Sequence, residues 1–292
     1  MSLEKIQKPI FIFGTGRSGT TIFNTMFSEH PNLYWLSQLC DKYPNKPQYN
    51  TQLMELIDYP IIGKFLKKKF EASERYSFWD FHCNGFSSTF RDIYAEDVSE
   101  RNRYKLLKII SQLKTEKRNR LLVKITGWSR VGFLSEIFED AKFIHVIRDG
   151  RAVANSLVNV NFWLGWQGDY KWRWGKLPSN YRKEWEDSEQ SFIVLAGIQW
   201  KIMMDSYEIS KKLVKKENLL EIKYEDLCEN PMRIFKMVTE FSELKWSSEF
   251  EKTINNFSVR DTNSKWKKDL NKKQQNDLSQ ALENHLKKYG YL

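Results

Sequence analysis

A glycine-rich loop near the start of the chain is the feature that most constrains its fold. An apolar run over residues 9–13 precedes the loop Gly14-Thr15-Gly16-Arg17-Ser18-Gly19-Thr20-Thr21, and a helical pattern follows over residues 22–27. A strand, a glycine-dense turn and a helix in this order bind phosphate, because N–H groups of the loop and of the helix start point at one anion. The predicted binding residues are Thr15, Gly16, Arg17, Ser18, Gly19, Thr20 and Thr21.

The loop has P-loop spacing from Gly14 to Gly19, but Thr20 follows where nucleoside triphosphatases carry a lysine. That lysine normally reaches the β- and γ-phosphates of the nucleotide. The cation in this loop is Arg17 instead. A nucleotide kinase with a degenerate P-loop therefore stays as an alternative, disfavoured by Thr20 and by the lack of a clear magnesium-binding carboxylate.

Composition and charge indicate a folded protein with an anionic partner. The chain has 292 residues, of which 41% are hydrophobic and 15% aromatic, enough for a substantial core. A net charge of +10 favours a nucleotide, a sulfated or phosphorylated acceptor, nucleic acid or a membrane surface. No internal repeat or low-complexity linker interrupts the sequence, so we expect one domain over residues 1–292.

The cysteines and the apolar runs bear on the setting of the protein. Cys40, Cys83 and Cys228 are odd in number and lack C-x-x-C spacing, so neither a disulfide framework nor a zinc site is indicated. No apolar run approaches the roughly 20 residues of a membrane helix, and the N-terminus lacks a signal-peptide pattern. We expect a cytoplasmic protein with no membrane span. No metal is predicted, because no cluster of ligands is visible.

Three apolar segments predict strands of a parallel sheet, at residues 121–125, 142–147 and 219–224. Lys124 interrupts the first, and a buried lysine is costly unless it pairs or reaches an anion. Ligands of parallel sheets gather at the carboxyl ends of strands, where the glycine-rich loop, Lys124 and Arg148 would lie. The predicted fold is α/β: a P-loop-like central parallel sheet flanked by helices, with a mostly helical elaboration on the acceptor side.

Residues 162–185 form an aromatic, glycine-bearing insertion that contains Trp163, Trp166, Trp172 and Trp174. Aromatic side chains of this kind line ligand pockets and also fill cores. The sequence leaves both interpretations open. If the insertion is a pocket wall, its aromatic faces suit sugar rings or apolar groups and predict a small-molecule, glycan or lipid acceptor, with no duplex nucleic acid as partner.

Two stretches resemble sulfotransferases that use 3′-phosphoadenosine-5′-phosphosulfate (PAPS). The loop ending Arg-Ser-Gly-Thr-Thr at Thr21 is similar to the 5′-phosphosulfate loop of that family, in the form of its carbohydrate and tyrosylprotein branches. Residues 143–156 resemble its 3′-phosphate strand-turn-helix, which implies that Arg148 and Ser156 hold the 3′-phosphate. The lack of a membrane segment differs from the membrane-anchored Golgi members.

Later stretches extend the resemblance over nearly the whole chain. Residues 222–227 resemble the tyrosine-glutamate-aspartate segment of the family, which implies that Tyr224 lies beside the adenine. Residues 264–266 resemble a late basic segment, which implies that Lys265 and Trp266 close over the nucleotide. Residues 288–291 are similar to the usual helical end.

The resemblance implies transfer of a sulfuryl group from PAPS to a hydroxyl or amine, leaving adenosine 3′,5′-bisphosphate. Arg17 and Lys124 would stabilise the transferred group and the leaving phosphate. The general base is less clear, because Gln38 stands where related enzymes often carry a glutamate, and an amide cannot accept the proton. The candidates are His82, Asp80 and Asp41, with His82 favoured because its ordinary pKa is near 6.5.

Gln38 also supports a hypothesis other than a sulfotransferase or a nucleotide kinase. In this third hypothesis the chain binds PAPS or nucleic acid without catalysis. Separate titrations with PAPS, ATP and a random oligonucleotide would discriminate these readings, since nucleic-acid binding depends steeply on salt.

Overall fold

A five-stranded parallel sheet forms the centre of the computed structural model, which describes residues 6–292. Its strands are β1 (Ile10–Gly14), β2 (Leu33–Trp35), β3 (Arg120–Thr126), β4 (Lys142–Ile147) and β5 (Leu219–Lys223). Their order across the sheet is β2-β3-β1-β4-β5. The predicted α/β fold is therefore confirmed.

Helices connect the strands and cover both faces of the sheet. In chain order they are α1 (Thr20–Ser28), α2 (Gln38–Lys42), α3 (Pro47–Leu56), α4 (Pro60–Lys69), α5 (Tyr76–His82), α6 (Glu100–Ser111), α7 (Val131–Ile137), α8 (Gly150–Val158), α9 (Ser179–Asp187), α10 (Phe192–Ser210), α11 (Tyr224–Glu229), α12 (Pro231–Phe241), α13 (Ser248–Asn255), α14 (Trp266–Asp269) and α15 (Lys272–Lys288).

The strand order positions the glycine-rich loop. β1 lies between β3 and β4, and the chain crosses from one side of β1 to the other after β3. Gly14 at the end of β1 is level with Thr126 of β3, and Ile12 is level with Lys124. Open parallel sheets bind ligands in the crevice where the strand order reverses. The loop after β1 therefore opens into that crevice, between the ends of β3 and β4.

The side chains of β1 alternate between two cores, as the two-residue period of a strand requires. Phe11 and Phe13 belong to the larger core, which includes α7, α8 and α10. Ile10 and Ile12 face the smaller core, where Phe23 of α1 packs with residues of α12 and α13. Both faces of β1 are buried, so the strand reads as a continuous apolar run.

Two segments differ from what their sequences predict. Pro44, Asn45 and Pro47 predict irregular structure over residues 37–60, and aromatic residues interleaved with polar ones predict a loop over residues 78–86. Residues 37–60 instead contain α2 and α3. Pro47 does not mark a turn there but begins α3, because proline suits the first helical position, where its missing N–H is not needed. Residues 78–86, predicted as an aromatic loop, begin within α5.

A buried carboxylate fixes the turn that follows β3. Asp92 is 3% exposed and accepts hydrogen bonds from the Ser129 hydroxyl at 2.9 Å, the Arg130 backbone N–H at 3.0 Å and the Ser206 hydroxyl at 3.1 Å. The Arg130 guanidinium lies 3.4 Å from the same carboxylate. Such a pair must be complete to be tolerated in the interior.

Asp92→Ala should destabilise the fold by about 3–5 kcal/mol, because it leaves the Arg130 guanidinium buried without its partner. Urea unfolding at neutral pH measures the change. The matched control is Asp97→Ala, which removes a pair with the exposed Arg91 and should cost about 1 kcal/mol or less. Equal losses in the two variants would contradict the structural role of Asp92.

Candidate active site

The loop after β1 is shaped to surround an anion. Gly16, Arg17 and Gly19 have φ angles of 72°, 59° and 90°, which turn backbone N–H groups inward. α1 then begins at Thr20 with no side-chain cap and no acidic residue in its first turn. Its free N–H groups and positive dipole end favour a negative group in the loop.

Two details of the loop fit a bound phosphate group. Within residues 6–292 the buried hydroxyl oxygen of Ser18 has no hydrogen-bond partner, which an anion oxygen would supply. The ring of Tyr224 packs so closely on Gly19 that a Cβ atom there would collide with it. Gly19 is therefore required both by its φ angle and by the approach of Tyr224.

Lys124 lies at the edge of this loop, where β3 ends. Its side chain is 4% exposed, and its ammonium group donates to the Thr21 hydroxyl at 3.0 Å. The same ammonium lies 2.9 Å from a carboxylate oxygen of Glu74. The structure thus places Lys124 against the first turn of α1, at the position predicted from the sequence.

Glu74 is the site residue that the sequence reasoning missed. It lies between α4 and α5 and accepts a hydrogen bond from the Thr126 hydroxyl at 3.1 Å and from the Ser73 hydroxyl at 2.7 Å. Burial alone would raise the pKa of Glu74, but the Lys124 ammonium and the hydrogen bonds outweigh it and hold the pKa below its usual value. Glu74 is therefore ionised at neutral pH and able to accept a proton.

A second group of site residues surrounds Arg17. The Arg17 side chain donates to the Ser156 hydroxyl at 2.9 Å. The Arg17 backbone carbonyl accepts from the Arg148 guanidinium at 3.0 Å. The loop, the end of β4 and helix α8 meet at this point. Arg17 is thus joined to the two residues expected at the 3′-phosphate, and its predicted contact with the transferred group stays a prediction.

The segment before α14 covers Arg148. The Arg148 guanidinium donates to Thr262 at 3.0 Å and Asn263 at 3.2 Å, and lies 4.5 Å from the centre of the Tyr224 ring. Lys265 is exposed at the start of α14. Trp266 is buried, with the Arg151 guanidinium 4.7 Å from its ring. The late basic segment therefore lies beside the predicted nucleotide site.

A cavity of about 330 Å³ begins at Thr126, where β3 ends. Thr126, which donates to Glu74, is part of its wall. Its aromatic lining comprises Tyr76, Trp128, Phe162, Trp163, Trp172 and Trp174, and its cationic lining comprises Arg130 and Arg173.

The aromatic insertion has both of the roles that the sequence left open. Trp163 and Trp172 are buried in the core and line the cavity at the same time. Trp174 is half-buried and packs edge-on against Trp128, with ring centres 6.0 Å apart. Trp166 is 62% exposed.

The predicted bases Asp80 and His82 are committed to local contacts. The Asp80 carboxylate accepts from the backbone N–H and the hydroxyl of Ser87. His82 is buried, with its Nε2 atom 3.1 Å from the Pro44 carbonyl oxygen, and burial lowers its pKa. The third candidate, Asp41, accepts from the backbone N–H of Phe78 at 3.0 Å. None of these contacts involves the loop or Lys124, whereas Glu74 contacts Lys124 directly.

The sequence matches a model of the sulfotransferase family over residues 9–248. This stretch includes the loop, Lys124, Arg148 and Tyr224. The chain belongs to the sulfotransferase family. A search of curated protein sequences finds no significant match.

Three solved structures of sulfotransferases resemble this fold. Sulfotransferase STF9 from Mycobacterium avium aligns with a TM-score of 0.56 and 17% identity, over 98% of this chain and 77% of that one. Sulfotransferase STF1 from Mycobacterium tuberculosis aligns with a TM-score of 0.54 and 14% identity, over 96% of this chain and 76% of that one. The sulfotransferase domain of the curacin biosynthetic pathway aligns with a TM-score of 0.51 and 15% identity, over 95% of this chain and 98% of that one. At these identities the likeness concerns the fold.

In the part of the chain that the structure describes, no helix has the length and apolar character needed to cross a bilayer. Among the same residues, no group of three or more histidine, cysteine or acidic side chains is arranged to hold a metal ion.

The Glu74–Lys124 pair should make stability depend on pH. Because the folded-state pKa of Glu74 is lowered, its ionised form stabilises the fold above about pH 4.5, its ordinary value, and this contribution is lost as the pH falls through the folded-state pKa. Glu74→Gln should therefore cost about 1.5–3 kcal/mol at pH 7, the worth of a hydrogen bond to a charged group, and progressively less as the pH falls through the folded-state pKa. Urea unfolding from pH 7 to pH 3 measures this difference.

The control for this series is Glu71→Gln, at an exposed glutamate three residues earlier. It should change the free energy of unfolding little at any pH. A Glu74→Gln loss that stays constant from pH 7 to pH 3 would show that the carboxylate charge is not what stabilises the site.

Proposed function

We propose that this protein transfers a sulfuryl group from PAPS to a hydroxyl group of a small, ring-bearing acceptor, with Glu74 as the general base. One observation carries the proposal. An ionised carboxylate is paired with Lys124 at the edge of an anion-binding loop and is hydrogen-bonded to Thr126 in the wall of an aromatic cavity. A sulfotransferase needs these three features, an anion loop, a base and an acceptor pocket, next to one another.

The loop and its neighbours fit the two phosphate groups of PAPS. The 5′-phosphosulfate would lie in the loop, where the Ser18 hydroxyl lacks a partner and the first turn of α1 has free N–H groups. The 3′-phosphate would lie against Arg148 and Ser156, which Arg17 already links. Tyr224, packed on Gly19, would border the nucleotide. The proposed site therefore has one set of donors for the 5′-phosphosulfate of PAPS and another for its 3′-phosphate.

PAPS supplies an activated sulfuryl group, whose bond to the 5′-phosphate oxygen breaks as the bond to the acceptor oxygen forms. Glu74 accepts the proton of the attacking hydroxyl. Lys124 and the N–H groups of residues 18–21 stabilise the negative charge that develops on the sulfonate and leaving phosphate oxygens. Gln38 cannot take the proton, and Glu74 supplies a carboxylate from another segment.

The cavity limits the acceptor. At about 330 Å³ it is near the lower end of ligand pockets, and its lining is mainly aromatic. Flat or ring-shaped molecules bind such faces well. Arg173, an exposed cation in the lining, suits an acceptor with an electron-rich or acidic substituent. We therefore propose a hydroxylated small molecule, with a glycan end or a lipid headgroup as further members of the class.

Arg148→Ala should weaken binding of adenosine 3′,5′-bisphosphate by about 1.5–3 kcal/mol, the worth of a charged hydrogen bond, and leave AMP binding nearly unchanged. The reason is that only the bisphosphate has a group for Arg148 to hold. Calorimetry with both nucleotides measures the change, and Arg233→Ala, at an exposed arginine, is the control. Equal affinity of the wild type for the two nucleotides would refute the PAPS proposal.

Glu74→Gln should lower kcat by roughly 10²–10⁴-fold, as expected for loss of a general base, and leave bisphosphate affinity almost unchanged. Sulfation assays of an acceptor panel with PAPS measure kcat, and its pH profile should lose the acidic limb in the variant. Glu71→Gln should behave as the wild type. A variant that keeps its kcat would exclude Glu74 as the base, and one that loses bisphosphate binding would make it a structural residue.

A further inference from the structure

Helix α4 presents apolar side chains to solvent. Ile61 is 88% exposed, Phe65 66% and Ile62 54%, and Leu56 and Tyr59 just before the helix are exposed too. Single exposed apolar side chains are common on protein surfaces, but a cluster of five on neighbouring turns is not. We call these five residues the α4 patch. Nothing in the described part of the chain covers it.

Lysines surround the α4 patch. The helix contains Lys64, Lys67, Lys68 and Lys69 and no acidic residue. Lys67 is tied to Glu29 by an ion pair at 2.6 Å, whereas Lys64, Lys68 and Lys69 are exposed. Lys69 lies 6.0 Å from the ring centre of Phe65, so positive charge borders the apolar side chains directly.

Contacts on one side of α4 hold it against the rest of the protein. Gly63 packs so closely on the Ile57 carbonyl that no Cβ atom fits there. Leu66 packs against the larger core, and the Trp35 indole donates to the Phe70 carbonyl at 2.8 Å just after the helix. These contacts fix which side of the helix the protein covers.

We propose that α4 docks this protein on an anionic lipid surface, with Ile61, Ile62 and Phe65 in the headgroup region and the lysines against lipid phosphates. Apolar side chains bordered by lysines are the features by which a helix lies in a membrane interface. Each lysine near an anionic bilayer adds to binding, so the lipid charge and the apolar contact act together.

Charge argues against the other occupants of this surface. If a second copy packed on α4 about a two-fold axis, the lysines of one helix would face those of the other, because α4 itself contains no carboxylate. Nucleic acid would pair with the lysines but would leave the α4 patch without a role, because binding to its backbone is electrostatic. Lys64 and Lys68 also line the cleft of about 550 Å³ beside α4, whose acidic lining is Glu29, Asp58, Glu71 and Glu249. Lys69 is not part of that lining and lies beside Phe65 of the α4 patch.

Vesicle sedimentation tests the proposal. The full chain should sediment with vesicles of equimolar phosphatidylcholine and phosphatidylglycerol and stay in solution with phosphatidylcholine alone. Ile61→Ser with Phe65→Ser removes the apolar contact and keeps the charge, and Lys64→Gln with Lys68→Gln does the reverse. Each double variant should bind the anionic vesicles at least roughly tenfold more weakly than the wild type. Both should keep wild-type affinity for adenosine 3′,5′-bisphosphate, which shows that they are folded.

Matched controls lie at the end of α10 and just after it. Ile209→Ser with Leu213→Ser, and Lys212→Gln with Lys216→Gln, change exposed residues of the same types and should leave vesicle binding unaltered. Equal binding of the wild type to neutral vesicles, or no vesicle binding, overturns the proposal. So does a wild-type dimer in sedimentation velocity that the Ile61→Ser, Phe65→Ser variant converts to a monomer, because the patch is then a contact between copies.

Discussion

The buried ammonium group of Lys124 is the constraint on which the site depends. A charge that is 4% exposed requires partners, and Lys124 has two, the Thr21 hydroxyl at the start of α1 and the Glu74 carboxylate. These contacts tie the end of β3 to the anion loop on one side and to the segment before α5 on the other. One cation thus brings the loop, the proposed base and the wall of the aromatic cavity together.

The strand order makes this arrangement possible. With β1 between β3 and β4, the loop after β1 has the end of β3 on one flank and the end of β4 on the other. Lys124 therefore contacts the loop at Thr21, and Arg148 contacts it at the Arg17 carbonyl. A ligand with two separated anionic groups would span them, and PAPS, the donor proposed above, is such a ligand. The aromatic cavity lies on the β3 side, where Thr126 lines it and donates to Glu74.

The fold was largely predictable because its elements carry local signals. The glycine-rich loop, the apolar strands and the helix pattern after each strand indicate a parallel sheet without any long-range information. Errors arose where one residue type has two meanings. Pro47 was read as a turn and begins α3, and the aromatic residues from Phe78 onward were read as a loop and belong partly to α5. Proline suits the first position of a helix as well as a turn, and aromatic residues occur in helices as well as in loops, so the residue type alone did not decide.

The sequence by itself determined the anion loop, the strand-end lysine and the family, because each depends on residues close together in the chain. Only the tertiary structure decided which carboxylate meets Lys124. Glu74 is 50 residues from Lys124, and no motif surrounds it. It pairs with Lys124 because the segment leading into α5 lies against the end of β3, where the Tyr76 hydroxyl donates to the Thr126 carbonyl. The same holds for the α4 patch, since the apolar pattern of a helix does not tell which of its faces the rest of the protein leaves uncovered.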